Sequence, residues 1–276
     1  MSIDGRAVAA EILKETKERV ARLGLVPTVR AVTCAPSPAT LSYLRIKAVR
    51  AAEAGMKLEV VEVPEDTDEA TLIAHVTNPG ADAVIVQLPL PQNLNSEAVV
   101  NAISLSKDAD VLSKEAYELF IQGGLLRPPV VEATREVLTR TGTTIQNVRA
   151  VVVGQGKLVG QPVTEWLRSQ GAVVSIVSRG DDLSMVLKEA DIIVSGAGSP
   201  GIITADSIKK GVVLIDAGTS EQGGEMVGDA DPACAAVASV FTPVPGGMGP
   251  IAVACLFRNV VTLLERSLQE QQKVVH

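Results

Sequence analysis

Apolar and polar positions alternate in blocks along this chain, and most blocks fit one of two periods. In the first third the spacing predicts a helix over 5–23, a strand over 28–34, a helix over 39–54 and a strand over 57–63. It then predicts a helix near 69–76, a strand over 83–87 and a helix after Asn95. Val29-Arg30-Ala31-Val32 and Ala83-Val84-Ile85-Val86 are short β-branched runs of the kind that parallel sheets bury. After a loop over 105–111 and a helix near 114–120, Gly123-Gly124 and Pro128-Pro129 mark a boundary. Beyond it, Val148 to Gly154 is a strand that runs straight into a glycine-rich turn and a helix ending near Ser169. Strands over 172–177, 191–195, 212–216 and 236–241 follow, and an apolar helix over 251–264 ends the pattern.

Alternating helix and strand in both parts predicts an α/β chain of two α/β domains. The first is expected over 1–124, with the C-terminal helix from 251 folding back onto it. The second is expected over 125–250, with a Rossmann-like parallel sheet, and the active cleft is expected between the two. Composition agrees. The 276 residues are 46% hydrophobic but only 2% aromatic, so the core is built from Ala, Val, Leu and Ile, as in helices packed on a buried parallel sheet.

A formal net charge of -7 argues against a nucleic-acid partner, which would want a clustered basic excess, and leaves small anionic ligands open. Cys34, Cys234 and Cys255 are far apart with no ligand spacing, so neither a metal site nor a disulfide framework is indicated, and a reducing cytoplasm fits. No apolar run reaches the roughly 18 residues expected of a membrane span, and the opening residues read as a soluble amphipathic pattern rather than a basic-then-apolar signal. His75 lies in a predicted helix and His276 is the last residue, which leaves little room for histidine chemistry.

Candidate chemistry lies in five places. Thr242-Pro243-Val244-Pro245-Gly246-Gly247-Met248-Gly249-Pro250, with three prolines and three glycines, is expected to be neither helix nor central strand but a rigid wall lining a site; an ordinary surface loop is the alternative. Gly154-Gln155-Gly156-Lys157-Leu158-Val159-Gly160 after a strand suits a phosphate held by backbone N–H groups at a helix start, although a plain tight turn has the same composition. Tyr43 and Lys47, four apart, share one helix face and address either one ligand or solvent. Gln87-Leu88-Pro89-Leu90-Pro91 places an amide at the carboxyl end of a buried strand, where α/β proteins bind ligands. Lys107-Asp108-Ala109-Asp110 adds two carboxylates that could equally belong to a solvated turn.

Together and in this order, these motifs resemble the bifunctional methylenetetrahydrofolate dehydrogenase/methenyltetrahydrofolate cyclohydrolase family. Its members carry Tyr-x-x-x-Lys, Gln-Leu-Pro-Leu-Pro, Lys-Asp-Val-Asp-Gly, Gly-Arg-Ser-x-x-Val-Gly and Thr-Pro-Val-Pro-Gly-Gly-Val-Gly-Pro. The resemblance implies that Lys47 is the catalytic lysine, with Gln87 orienting it, Tyr43 beside the pterin and Asp110 gripping the amino-pyrimidine edge. Leu88, Pro89, Pro243, Gly246 and Gly247 would complete the folate pocket, the last three on its opposite wall. Gly154, Gln155, Gly156, Lys157, Ser178, Arg179 and Gly198 would bind the cofactor, NADP with NAD possible. No metal is implied. The substrates would be tetrahydrofolate one-carbon derivatives, the assembly a homodimer through the Rossmann-like domain, and neither nucleic acid nor membrane a partner.

Four departures stand out. Val111 replaces the glycine of Lys-Asp-Val-Asp-Gly, and Gln155-Gly156 replaces Arg-Ser. Pro128-Pro129-Val130-Val131 stands at a Pro-Cys-Thr-Pro, and Ile251-Ala252 at the Met-Thr after the last motif. Two other functions remain: a folate-binding homologue without oxidoreductase activity, which would not need Lys47 at the reacting carbon, and an amino-acid-type NAD(P) dehydrogenase, which would not need Gln87-Leu88-Pro89-Leu90-Pro91.

Overall fold

The structure is a computed structural model that describes residues 1–178, 181 and 183–274. Its chain divides into two compact units. The first holds residues 10–129 and 253–276, the second residues 1–9 and 130–252. The division thus falls at Pro129 where the sequence placed it at 124, and the first nine residues go with the second unit. A backbone reason is visible for the latter. Ile3 N–H donates to Phe241 O at 2.8 Å and Gly5 N–H to Gly246 O at 2.9 Å, so the amino terminus is laced to residues of the second unit.

The first unit is built on a small sheet. After α1 (Gly5–Leu23) come β1 (Thr28–Cys34), α2 (Pro38–Glu53), β2 (Lys57–Val63), α3 (Glu69–Thr77) and β3 (Ala83–Val86). The three strands are all parallel in the order β2-β1-β3, with Val29 paired to both Leu58 and Ala83. All four residues of β3 are buried, as a strand between helical layers requires. The helix starts are chemically marked. Ser37 accepts from Thr40 N–H with Pro38 in the first turn of α2, and Asp68 accepts from Thr71 N–H at α3. Asn95 caps α4 (Ser96–Asn101) and Ser113 caps α5 (Lys114–Ile121).

The second unit contains α6 (Pro129–Arg140), β4 (Arg149–Val153), α7 (Gly160–Ser169), β5 (Val173–Val177), α8 (Leu183–Glu189), β6 (Ile192–Ser195) and β7 (Val213–Asp216). A hairpin of β8 (Ser220–Gln222) and β9 (Glu225–Val227), then β10 (Val240–Phe241) and α9 (Met248–Val274), complete the chain. Five strands form one parallel sheet in the order β10-β7-β6-β4-β5. Counted from β4, this is the doubly wound order 2-1-3-4-5, whose topological switch point lies between β4 and β6. Its core is aliphatic, with Val151, Val153, Ile193, Leu187 and Leu214 at 0–3% exposure.

Four local expectations are corrected. Residues 232–236 form a 3-10 turn that Asp231 caps by accepting from Ala233 N–H, so the strand expected over 236–241 shrinks to Val240–Phe241. The last helix begins at Met248, inside the segment expected to be wholly non-helical, because Pro250 falls in its first turn where no N–H is needed. Helix α6 was not foreseen; Pro129 marks its start as well as a boundary. Finally, α9 does contain an 18-residue window of mean hydropathy 1.4, of which 61% is buried within the protein, the property of a core helix.

Candidate functional site

Helix α2 buries Leu44, Lys47 and Ala51, one side of the helix, so Lys47 lies on the inward face with 7% exposure rather than on a solvated one. A buried ammonium needs partners. Lys47 Nζ donates to Gln87 Oε1 at 3.0 Å and stands 5.4 Å from the centre of the Tyr43 ring, within cation–π range. Gln87 follows β3 directly, and its N–H extends the ladder to Val32 O at 2.9 Å. Its side-chain Nε2 donates to Leu88 O at 3.1 Å, which turns Oε1 toward the lysine. The cluster therefore sits at the carboxyl end of β3, beside the switch point between β1 and β3.

Asp110 joins it electrostatically. Burial pushes the Lys47 ammonium below the usual lysine range, with the Asp110 charge opposing that shift. Burial likewise pushes the Asp110 carboxyl up; Lys47 counters it and Asp108 adds to it. The Tyr43 phenol is raised, first by burial and then by Asp110. An amine and a carboxyl both driven toward neutrality suit a site that holds and moves protons near neutral pH.

The loop that carries Asp110 is pinned on both sides. Asp108, fully buried, accepts from Leu112 N–H at 3.1 Å and Ser113 N–H at 2.7 Å. Asn259 on α9 donates through Nδ2 to Ala109 O and Arg127 O, each at 2.9 Å. Between them Val111 has φ +57°, a left-handed conformation that costs a β-branched residue about 1–2 kcal/mol. The glycine of the similar family motif would occupy it freely. Neither the reach of Asn259 nor the Asp108 turn is visible in local spacing.

In the second unit, the turn after β4 packs tightly against the end of β6. A Cβ on Gly154 (φ +97°) would lie 2.9 Å from Gly196 O and 3.0 Å from Ala197 Cα, and one on Gly160 would run into the Gly154 carbonyl. These two glycines let the start of α7 approach the strand, the geometry a dinucleotide-binding turn requires. Gly156 meets nothing within 4 Å of an added Cβ, so the turn does not demand it. Gln155 Nε2 donates to Ser178 Oγ at 2.8 Å, and Ser178 N–H donates to Asp181 Oδ2 at 2.7 Å, which brings both turns at the β4 and β5 ends together. Lys157 and Gly198 are exposed at the surface of this unit. Arg179 and Asp182 lie outside the described residues, as does His276.

Pro243, Gly246 and Gly247 form the strand-end loop after β10, closed by Gly247 N–H donating to Pro243 O at 2.7 Å. Two further carboxylates, Asp216 and Asp229, escaped the sequence reading. Asp216, at the end of β7, accepts from Gly218 N–H at 2.9 Å and Ala230 N–H at 2.8 Å. Its N–H donates to Thr242 Oγ1 at 2.7 Å, which ties β7 to the start of the 242–250 loop. Burial lifts the Asp216 carboxyl to about 6, with the Asp229 charge adding to the rise and the Ala230 N–H holding it back. An acid closing the apolar run Val212 to Ile215 was the signal available for it.

Comparison with known proteins places these features in one family. Residues 3–110 match the model for the tetrahydrofolate dehydrogenase/cyclohydrolase catalytic domain, and residues 128–268 that for the tetrahydrofolate dehydrogenase/cyclohydrolase NAD(P)-binding domain. The chain is 37% identical over 281 residues to the bifunctional protein FolD of Lacticaseibacillus casei (strain BL23), covering 96% of this chain and 97% of that one. Among solved structures, the FolD methylenetetrahydrofolate dehydrogenase/cyclohydrolase of Campylobacter jejuni superimposes with a TM-score of 0.92 at 28% identity, over 97% of this chain and 99% of that one. The Trypanosoma brucei enzyme, complexed with NADP cofactor and inhibitor, gives 0.90 at 33% identity, over 97% and 98%.

Proposed function

The chain belongs to the tetrahydrofolate dehydrogenase/cyclohydrolase family, and we propose that it oxidises 5,10-methylenetetrahydrofolate to 5,10-methenyltetrahydrofolate with NADP and hydrolyses that product to 10-formyltetrahydrofolate. The observation that carries this reading is the buried Lys47 held by Gln87 beside Tyr43 and Asp110. Lys47 Nζ, with its proton affinity reduced by burial, takes and returns the proton of the attacking water; Gln87 Oε1 fixes where Nζ points. Tyr43 lays its ring beside the reacting centre, and Asp110 accepts hydrogen bonds from the amino-pyrimidine edge. When bound, NADP supplies the electron-pair acceptor for the oxidation. The Gly154–Gly160 turn fits its pyrophosphate, since Gly154 and Gly160 let the start of α7 come close to the strand end, where a helix N-terminus favours an anion.

The test is direct. Purified protein mixed with methylenetetrahydrofolate and each nicotinamide nucleotide should generate the absorbance of the methenyl product, and added methenyl substrate should lose that absorbance without nucleotide. Neither change with either nucleotide would overturn the assignment. Within the same site, Asp110→Ala should raise the folate KM about tenfold or more, the scale of a lost charge-assisted hydrogen bond. An unaltered folate KM would remove Asp110 as the pterin anchor.

NADP is the preferred nucleotide in this reading. Gln155 stands where the family has an arginine and is hydrogen-bonded to Ser178, so the 2′-phosphate depends on Arg179. Asp181 accepts from the Ser178 N–H through Oδ2, which holds its carboxylate at the end of β5. A guanidinium–phosphate pair contributes roughly 1.5–3 kcal/mol, about a tenfold preference or more. The kcat/KM ratio should favour NADP by that margin and collapse in Arg179→Ala; a wild-type preference for NAD would refute it. The same reading makes the protein a cytoplasmic homodimer. The exposed edge strand β5, with Val173 and Ile176 at the surface, supports assembly through the second unit.

A further inference from the structure

The buried carboxylate of Asp229 has no place in the chemistry above, yet it accepts three hydrogen bonds. It is 0% exposed. Its Oδ2 accepts from Ser195 Oγ at 2.6 Å and Ala197 N–H at 2.7 Å, and its Oδ1 accepts from Ser199 N–H at 2.7 Å. All three donors belong to the end of β6 and the turn that follows it. The acid itself arrives from 34 residues away, on the segment after β9. That segment is fixed in turn. Ile203 N–H donates to Asp229 O at 3.0 Å, and Asp231 N–H to Ile203 O at 2.8 Å.

The two ends of this arrangement interlock. A Cβ on Gly218 would collide with the Asp229 carboxylate, and one on Gly228 with that of Asp216, so each acid fills the space beside a glycine of the other's segment. The turn held by Asp229 is also the one against which Gly154 packs, through Gly196 O and Ala197 Cα. Residues 196–199 are therefore one wall of the β4/β6 switch point and Gly154 is the other. The Ala197 and Ser199 amides, which in an open turn would be free to bind an anion, are already taken by a resident carboxylate.

We propose that Asp229 is a positioning residue for the dinucleotide site: it sets the backbone of residues 196–199 against Gly154 and so governs nucleotide affinity, while the Lys47 chemistry does not depend on it. This rests on the NAD(P) reading of the second unit. The structural alternative, a carboxylate that merely stabilises the unit, would change the melting temperature without singling out the nucleotide.

The experiment compares the full-length wild type with Asp229→Asn, in which one carboxylate oxygen becomes an N–H donor facing donors. Hydrogen exchange at the 196–199 amides should quicken, and calorimetry should show NADP binding weakened, each by about tenfold or more, on the scale of a charge-assisted hydrogen bond. Hydrolysis of methenyltetrahydrofolate without nucleotide should stay within about twofold, well inside what one neutral hydrogen bond is worth. Unchanged NADP affinity despite faster exchange overturns the proposal, as does unchanged exchange or a parallel fall in both activities. Should Asp229→Asn not fold, Ser195→Ala removes one donor and keeps both backbone bonds; it should weaken NADP binding about threefold, and an unchanged affinity counts against the proposal. Wild type that binds NADP but acts on no folate defeats the proposed reaction and leaves this inference to be read from exchange and binding.

Discussion

Lys47→Met should lower hydrolysis of the methenyl substrate by about 10²–10⁴-fold, the range that general acid–base groups contribute, while the protein stays folded. Methionine keeps most of the volume of the lysine stem and removes only the amine. In the native protein that amine is buried at 7% exposure, and burial already drives it toward its neutral form, so its loss lifts a desolvation penalty at the same time as it strands Gln87 Oε1. The two effects oppose each other, and the melting temperature should move little. Oxidation should fall less than hydrolysis, since electron-pair transfer needs proximity and exclusion of water more than a proton carrier. Absorbance assays of both steps on the purified variant, with a thermal melt beside them, check each part. Hydrolysis at the wild-type rate would remove Lys47 from the catalytic role.

Gly160→Ala is expected to damage the second unit and its nucleotide affinity together. The added methyl meets the Gly154 carbonyl, with Gly154 C at 2.7 Å and Gln155 Cα at 3.0 Å, and all of these are backbone atoms that cannot swing aside. Overpacking of this kind costs about 1–3 kcal/mol, and the strand-to-helix approach it opens is the one that presents N–H groups to phosphate. NADP binding should weaken more than about tenfold, since 1.4 kcal/mol lost from binding is that factor. Gly156→Ala is the internal control. Its Cβ meets nothing within 4 Å, and the variant should match the wild type in denaturant midpoint. Indistinguishable behaviour of the two alanines would mean that the close approach at Gly160 is not what shapes the turn.

Much of this was legible because it is local. Tyr43 and Lys47 are one helical turn apart, Gln87 ends an apolar run, and Gly154 and Gly160 bracket a strand-to-helix turn; each is a statement about neighbours in sequence, and periodicity is a neighbour relation. Sequence spacing alone did not separate a buried Lys47 from a solvated one. That was decided by Leu44 and Ala51 sharing its face. What stayed hidden is long-range. Asn259 reaches Ala109 across 150 residues, and Asp229 reaches Ser195 across 34, with no pattern near either to announce the partner. Breaker residues misled in a simpler way. Pro250 lies within the first turn of α9, where a missing N–H costs nothing, so counting prolines ended the non-helical loop too late.

The partners named for Lys47, Gln87 and Asp110 all come from residues 10–129, whereas those of Gln155, Ser178 and Asp229 come from residues 130–252. Two hydrogen-bond economies thus serve one reaction sequence. In the proposed reading, substitutions that retune the nucleotide, such as the glutamine at 155, accumulate without touching the groups assigned to the proton chemistry. The redox partner is in that sense an exchangeable module, and a lineage could move from one nicotinamide nucleotide to another while its folate chemistry stayed fixed.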